Sequence, residues 1–331
     1  MLRTFAAAFA LVCCFTTMAA AAACGGSNLL EKLKADDPAT AKALQDKAAA
    51  IINANGRFWK VEKPGVAPSY VYGTFHVAKA VEFVPDAAWA ALEGARVAIF
   101  EVSLTEKGEL QKRMASDPSI LLADEGRPFA ARMSAKDAEK VLAAFEARGV
   151  PQVFAERLQP WMQISMLALP ACALASAASD PMVDMVLANR ADAKGIPQIG
   201  LETPQQALDA LARLSDDVIT TLVVAAGRGL SMEEDVFQTN LDLYRDGQIA
   251  LIRVLNDWIA DQNAPDLKIG HASERMYASL LDRRNREWMP RVLNEVGKGN
   301  AFVAVGALHL VGEIGLIAAL ERDGYTATPL D

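Results

Sequence analysis

Two matching tetrapeptides, Gly73-Thr74-Phe75-His76 toward one end of the chain and Gly306-Ala307-Leu308-His309 toward the other, each follow a strand-like run. The protein has three histidines, and these units hold two of them; His271 has no such setting. Imidazole is the commonest protein ligand for transition metals, and two imidazoles with a carboxylate form a catalytic site that keeps open coordination positions. The carboxylates are placed in the same way. The apolar run 96–100 leads into Glu101, and the run 196–201 leads into Glu202. Four strand-like segments thus each deliver a side chain able to bind a metal or move a proton. In open parallel sheets the carboxyl edge is where loops converge over a crevice. The pattern predicts that His76, Glu101, Glu202 and His309 share one cleft.

The elements that must position these groups are legible from hydrophobic period and from Gly and Pro punctuation. Residues 29–53 read as one or two short helices, and 58–62 with 70–72 as a hairpin whose turn contains Pro64-Gly65 and Pro68-Ser69. Residues 85–95 read as a helix with proline in its first turn, so 70–101 is one strand-helix-strand unit. A helical insert is expected over about 106–194. Within it Ala138, Val141, Leu142 and Phe145 have the spacing of an amphipathic helix stopped by Gly149. Residues 161–178 are almost uncharged, but Pro170 breaks them and they barely reach the roughly 20 apolar residues of a membrane span. A buried core helix is therefore expected there. Thr203-Pro204 is a helix start, and helices continue to about 294. A strand begins at Ala301, a helix runs from His309 to Asp323, and 325–328 form a final edge strand. The predicted fold class is α/β: two βα half-units forming a mainly parallel sheet, with strand-GxxH motifs at both ends and a large helical insert.

A chain of 331 residues, 52% of them hydrophobic, can bury a full core. With 33 Lys and Arg against 41 Asp and Glu it is acidic, and no basic stripe with interleaved aromatics is present, which excludes a nucleic-acid partner. Residues 1–23 have a basic start, an apolar stretch and a small-residue end, the pattern of a secretory signal peptide. Export to a periplasm or secretion is expected, for a mature chain of 24–331 without a transmembrane span. Cys13 and Cys14 would leave with the leader. Cys24 and Cys172 then have two alternatives: a disulfide, as an oxidising compartment favours, or lipidation of Cys24 at a half-matching lipobox in which Ala21 replaces the usual leucine.

Each singled-out residue has an ordinary structural alternative. The two histidines could be core imidazoles bonded to carbonyls, although their parallel placement argues for ligands. Glu101 could cap the helix that Ser103 begins, and Glu202 precedes the helix start at Thr203-Pro204. Arg284 lies in the charged run 282–287, by itself a solvated helix face. Other chemistries lack their motifs: there is no H-E-x-x-H, G-x-S-x-G or Walker loop, and Cys172 has no local histidine.

Tyr72-Gly73-Thr74-Phe75-His76, Gly200-Leu201-Glu202-Thr203, Arg284-Asn285 with Trp288, and the block from Val305 through His309 to Gly312 resemble the signature blocks of the TraB/GumN family. That family is related to the Tiki proteins, metal-dependent proteases that are membrane-associated or secreted. The resemblance covers about 29–329. It implies a fold shared with erythromycin-esterase-like and haem-binding ChaN-like proteins, with both histidines, a glutamate and an arginine in one cleft. Carried over, these are His76, His309, Glu101 with Glu202 as second acidic candidate, and Arg284. The expected activity is that of an exported metal-dependent hydrolase of peptidase type, acting on a peptide or small-molecule substrate. His76, Glu101 and His309 would hold zinc, manganese or cobalt, Glu202 would accept the proton of water, and Arg284 would stabilise the oxyanion. The alternative is a non-catalytic binding protein for haem, a porphyrin or another small ligand, with His76 or His309 as an axial ligand.

Overall fold

The computed structural model describes residues 24–123 and 129–331, and within them six strands form one sheet. In chain order they are β1 (Phe58–Lys63), β2 (Val66–Thr74), β3 (Val97–Phe100), β4 (Gln198–Gly200), β5 (Ala301–Gly306) and β6 (Thr326–Pro329); across the sheet the order is β4-β3-β5-β2-β1-β6. β1 and β2 form the expected hairpin, but its turn is Pro64-Gly65 alone, with Gly65 at φ 79°. Pro68 lies inside β2, where the register shifts between Val61 and Lys63; a bulge is where a residue without an N–H is tolerated. β6 pairs antiparallel with the outer side of β1.

Four neighbouring strands, β4, β3, β5 and β2, are parallel, with Thr74 opposite Gly306, and Phe100 opposite both Ala304 and Gly200. Their carboxyl ends therefore share one edge. β5, the last of them in sequence, inserts between β2 and β3, so the strand-helix-strand unit over 70–101 has its two strands separated. The two glycines of the paired motifs are also not equivalent. Gly73 faces Val305 rather than Gly306, an offset of one residue.

Strand alternation sends successive side chains to opposite faces. Phe58, Tyr72, Ala98, Phe100, Phe302 and Ala304 join one core, which the helices Leu29–Asp36, Pro38–Ala49, Val183–Ala193, Glu233–Arg245 and Ile249–Asn263 cover. Val71, Val97, Ile99, Val303 and Val305 join the other, beneath the helices Arg284–Val296 and Leu316–Arg322. Each fully buried Val, Ile or Phe on these faces contributes roughly 1.5–3 kcal/mol. The last helix is shorter than the sequence suggests, because Gly312 takes φ 86° and Gly315 caps the helix start.

A third core lies within the helices. Phe129, Val141 and Phe145 come from the insert between β3 and β4, but Leu214, Val218, Ile219 and Val223 come from the segment after β4, so the lobe draws on both. The uncharged stretch around Pro170 is two helices, Pro160–Leu167 and a second beginning at Ala171, bent by 99°. Proline lacks the N–H that would continue the first helix. Most of its described side chains are half-buried, not core. No single helix among the described residues is long and apolar enough to cross a membrane. Cys24 and Cys172 are disulfide-bonded with Cα atoms 5.4 Å apart, which ties the start of the described chain to the second of these helices. The leader expected over 1–23 lies outside the described residues.

Candidate active site

The four expected side chains meet above the carboxyl edge of the sheet, and Arg284 reaches them from a helix. His76 sits two residues beyond β2, Glu101 follows β3, Glu202 lies two residues beyond β4, and His309 ends a short 3-10 turn after β5. Arg284 begins the Arg284–Val296 helix, directly after a π-helical segment, Ala278–Arg283, whose Leu280 carbonyl accepts from Arg284 Nη1 at 3.0 Å.

Glu101 is the hub. Its Oε1 accepts the Gly306 N–H at 2.7 Å, and its Oε2 accepts from Arg284 Nη2 at 2.6 Å. His76 Nε2 and His309 Nε2 stand 3.8 and 3.9 Å from the same Oε1. Burial alone would raise the Glu101 pKa, but Arg284, then His309 and His76, hold it well below the usual carboxylate range.

Both imidazoles are oriented from behind. Asp184 Oδ2 accepts the Nδ1–H of His76 at 2.7 Å, while Asp184 Oδ1 accepts from the Thr74 hydroxyl at 2.7 Å. Asn285 Nδ2 donates to the carbonyls of His309 and Ile314, which identifies its Oδ1 as the acceptor of the His309 Nδ1–H at 2.6 Å. Each ring therefore presents Nε2 to the cleft. Their charge states differ. Asp184, helped by its hydrogen bond and by Glu101, raises His76 to about 9 against the desolvation of the ring. Burial, with Arg284 and His76 nearby, lowers His309 to about 3. His76 is the solvent-facing member, its side chain 55% exposed against 4% for His309.

Glu202 is placed behind Arg284. It accepts from Arg284 Nε and Nη2, the shortest contact being 2.6 Å, and from Trp288 Nε1 at 3.1 Å. Burial raises its pKa even against these donors. Arg284 also lies over the Trp288 ring at 4.5 Å, and its Nη1 is 3.2 Å from His309 Nε2. All of its N–H directions are thus engaged, one of them on a lone pair that a metal would claim.

The donor chemistry suits a transition-metal ion: two fixed Nε2 atoms, one carboxylate oxygen and a space beside them. A Cβ placed on Gly306 would come 3.0 Å from His76 Nε2, 3.3 Å from Glu101 Oε1 and 3.5 Å from His309 Cδ2, so the absent side chain opens the point on which the three groups converge. Among the described residues no three His, Cys, Asp or Glu side chains already close around an ion. The separations of 3.8 and 3.9 Å exceed the roughly 3.3–3.5 Å between ligand atoms of a tetrahedral zinc-like ion. An inward movement of the exposed His76 ring would close the first of these gaps, and the second requires Glu101 and the buried His309 to approach one another as well.

Asp184 was not among the expected residues, and Thr74, Asn285 and Trp288 stood in the quoted motifs without a role. The available signal for Asp184 was an acidic residue on the apolar stripe of Val183, Leu187, Ala188 and Ala191, where a carboxylate needs a buried partner. His271 is exposed.

The family model described as TraB/PrgY/gumN matches residues 57–329. No curated protein and no solved structure gives a significant match.

Proposed function

The chain belongs to the TraB/PrgY/gumN family, and on that footing we propose that its cleft is a hydrolytic centre for amide or ester bonds, loaded with a divalent transition metal on His76, His309 and Glu101. The observation that carries this reading is the pair of back-bonded imidazoles, each presenting Nε2 to the same oxygen of Glu101. When bound, such an ion supplies Lewis acidity and lowers the pKa of water toward neutrality. Zinc, manganese and cobalt all suit a site of imidazole and carboxylate.

The chain's own residues then have distinct tasks. Asp184 and Asn285 hold the two rings in the tautomer that exposes Nε2. Arg284 carries fixed positive charge at the cleft, and its Nη1–H, now directed at His309 Nε2, is the donor best placed to meet a developing oxyanion. Glu202 serves better as the anchor of Arg284 than as the proton acceptor expected of it, because its oxygens are taken by Arg284 and Trp288 and its side chain is 3% exposed. The haem-binding alternative fits less well. His309 Nε2 faces Arg284 and Glu101 in a buried position, which leaves the exposed His76 as the one histidine open to an axial role, and its Nε2 is turned toward Glu101.

The test is metal content by mass spectrometry on untagged protein, beside hydrolysis of a broad peptide library. About one metal ion per chain is expected, reduced in His309→Ala, with hydrolysis lost on chelation and restored by the metal. A protein that takes up none of the three metals would overturn the reading.

A further inference from the structure

An apolar cavity of about 360 Å³ lies where the helices covering the sheet meet the helical lobe, and none of the cleft's side chains lines it. Three helices each turn one face to it: Leu222 and Ala226 from Asp216–Arg228, Phe237 and Asn240 from Glu233–Arg245, and Ile259 and Asn263 from Ile249–Asn263. Its rim is the bend at Pro170. That bend is fixed on both sides. Arg148 donates to the carbonyls of Met166 and Leu169 and to Glu233. Just beyond the bend, Cys172 is bonded to Cys24, whose neighbours Gly25 and Ser27 bond to Glu234 and Asp235 on the Glu233–Arg245 helix. Protein interiors retain few voids larger than a water, so an apolar opening of this size with a fastened rim has the pre-formed character of a ligand site.

The wall's polar groups restrict the occupant. Two carboxylates, Glu233 and Asp257, line the cavity, and no Lys, Arg or His does among the described residues. An anionic head would therefore lose its hydration without gaining a counter-charge. Both carboxylates are already engaged, Glu233 by Arg148 and Asp257 by the Tyr277 hydroxyl at 3.3 Å and by Ser273; burial raises the Asp257 pKa even against these hydrogen bonds. Neutral donors and acceptors are on offer instead. Asn240 and Asn256 exchange hydrogen bonds at 3.3 and 3.1 Å, and the other N–H of Asn256 goes to the Ile252 carbonyl. Asn240 keeps one amide N–H, and Asn263 its whole side-chain amide, without a hydrogen-bond partner among the described residues. The volume is at the small end of the roughly 300–1,000 Å³ usual for ligand pockets.

We propose that this cavity is a binding site for a small uncharged amphiphile, an apolar body held by the three helices with a single amide or hydroxyl head received by Asn240 and Asn263. The site stands apart from the cleft and needs neither its metal nor its reaction. Ala226→Phe and Ala260→Phe, on facing helices of the lining, should each fill it. Asn263→Ala should leave the space and remove the head's partner.

The experiment titrates the disulfide-bonded protein with the fluorescent apolar dye N-phenyl-1-naphthylamine and displaces it at pH 8 with octanamide, octanoate and octylamine, which share one tail and differ in head charge. Circular dichroism checks folding. The dye should bind saturably, about one per chain, and octanamide should displace it at least about tenfold more effectively than either charged chain, because a charged head enters without a free partner. Ala226→Phe and Ala260→Phe should abolish dye binding without lowering the melting temperature. Asn263→Ala should bind the dye as wild type does and octanamide about three- to tenfold more weakly, the effect of one neutral hydrogen bond. The proposal fails if the folded protein binds no dye saturably, if octanoate or octylamine competes as well as octanamide, or if binding survives in both filled variants. Should those two variants fail to fold, Asn263→Ala decides, since undiminished octanamide affinity there would overturn the assignment of the head.

Discussion

Asp184 Oδ2 accepts the Nδ1–H of His76 at 2.7 Å, so a helix leading toward β4 sets the tautomer of a histidine that follows β2. Asp184→Asn should bring the His76 pKa down from about 9 toward its ordinary value. It should also weaken metal binding by about 10–100-fold, the usual effect of removing a group behind a ligating histidine. An NMR titration of the His76 ring and a competitive metal titration measure the two effects. An unchanged His76 pKa would show that Asp184 is not its partner in solution.

Arg284 stands between two carboxylates, and removing it leaves Glu202 without a cation and Glu101 with His76 alone. Arg284→Ala should cost about 3–5 kcal/mol of stability, the usual effect of stranding a buried charge, read from urea unfolding. Adding Glu202→Gln should recover part of that loss, because Glu202 is almost wholly buried. Glu202→Gln alone should lower turnover without removing a limb of the pH profile. Loss of such a limb would restore Glu202 as the proton acceptor.

The two imidazoles respond to pH in opposite senses. His76, raised to about 9 chiefly by Asp184, contributes stability that is complete below its ordinary 6.5 and lost as pH rises through about 9. His309, lowered to about 3 chiefly by burial, contributes stability that is complete above 6.5 and lost as pH falls toward about 3. In chelated protein the urea midpoint should therefore decline on both sides of about pH 6.5. His76→Asn should flatten the alkaline decline and His309→Asn the acid one. Slopes unaltered by either change would contradict both assignments.

Gly306 and Gly73 should behave differently despite their matching motifs. A Cβ on Gly306 meets the far ends of His76 and Glu101, whereas a Cβ on Gly73 meets the Ala307 backbone at 2.8 Å. Gly306→Ala should keep the fold and lose metal binding, and Gly73→Ala should lower the melting temperature. Calorimetry with a metal titration separates the outcomes; full metal affinity in Gly306→Ala would refute the space argument.

The disulfide closes a loop spanning 148 residues. Replacing Cys24 and Cys172 with serine should destabilise the protein by about 2–5 kcal/mol, measured by urea unfolding. No change in midpoint would mean that other contacts already hold the start of the described chain against the Glu233–Arg245 helix, where Gly25 and Ser27 bond to Glu234 and Asp235.

Much of the site was legible because its carriers are local. Apolar runs ending in His76, Glu101, Glu202 and His309 place each side chain at a strand's carboxyl end, and parallel strands in one sheet share that edge. The cap at Thr203, the break at Pro170 and the turn at Gly65 are equally local, since each depends on the φ, the missing N–H or the side-chain oxygen of one residue. The order of the strands is not of that kind. Nothing in the run 301–306 announces that β5 enters between β2 and β3, because that choice rests on which helices cover each face.

The partners of the catalytic candidates were decided at the same level. Asp184 lies 108 residues from His76 and Glu202 lies 82 residues from Arg284, distances over which spacing in the chain conveys no contact. Residue type marks Glu202 as able to accept a proton. Whether its oxygens are open to water or clamped by a guanidinium depends on how the helix beginning at Arg284 docks over the sheet edge. That docking is set by burial of Trp288, Val292 and Val296 against the strands. The chemistry available to the cleft is thus carried by residue identity, and its division of labour by packing, because hydrogen bonds form only between groups that the fold has already brought together.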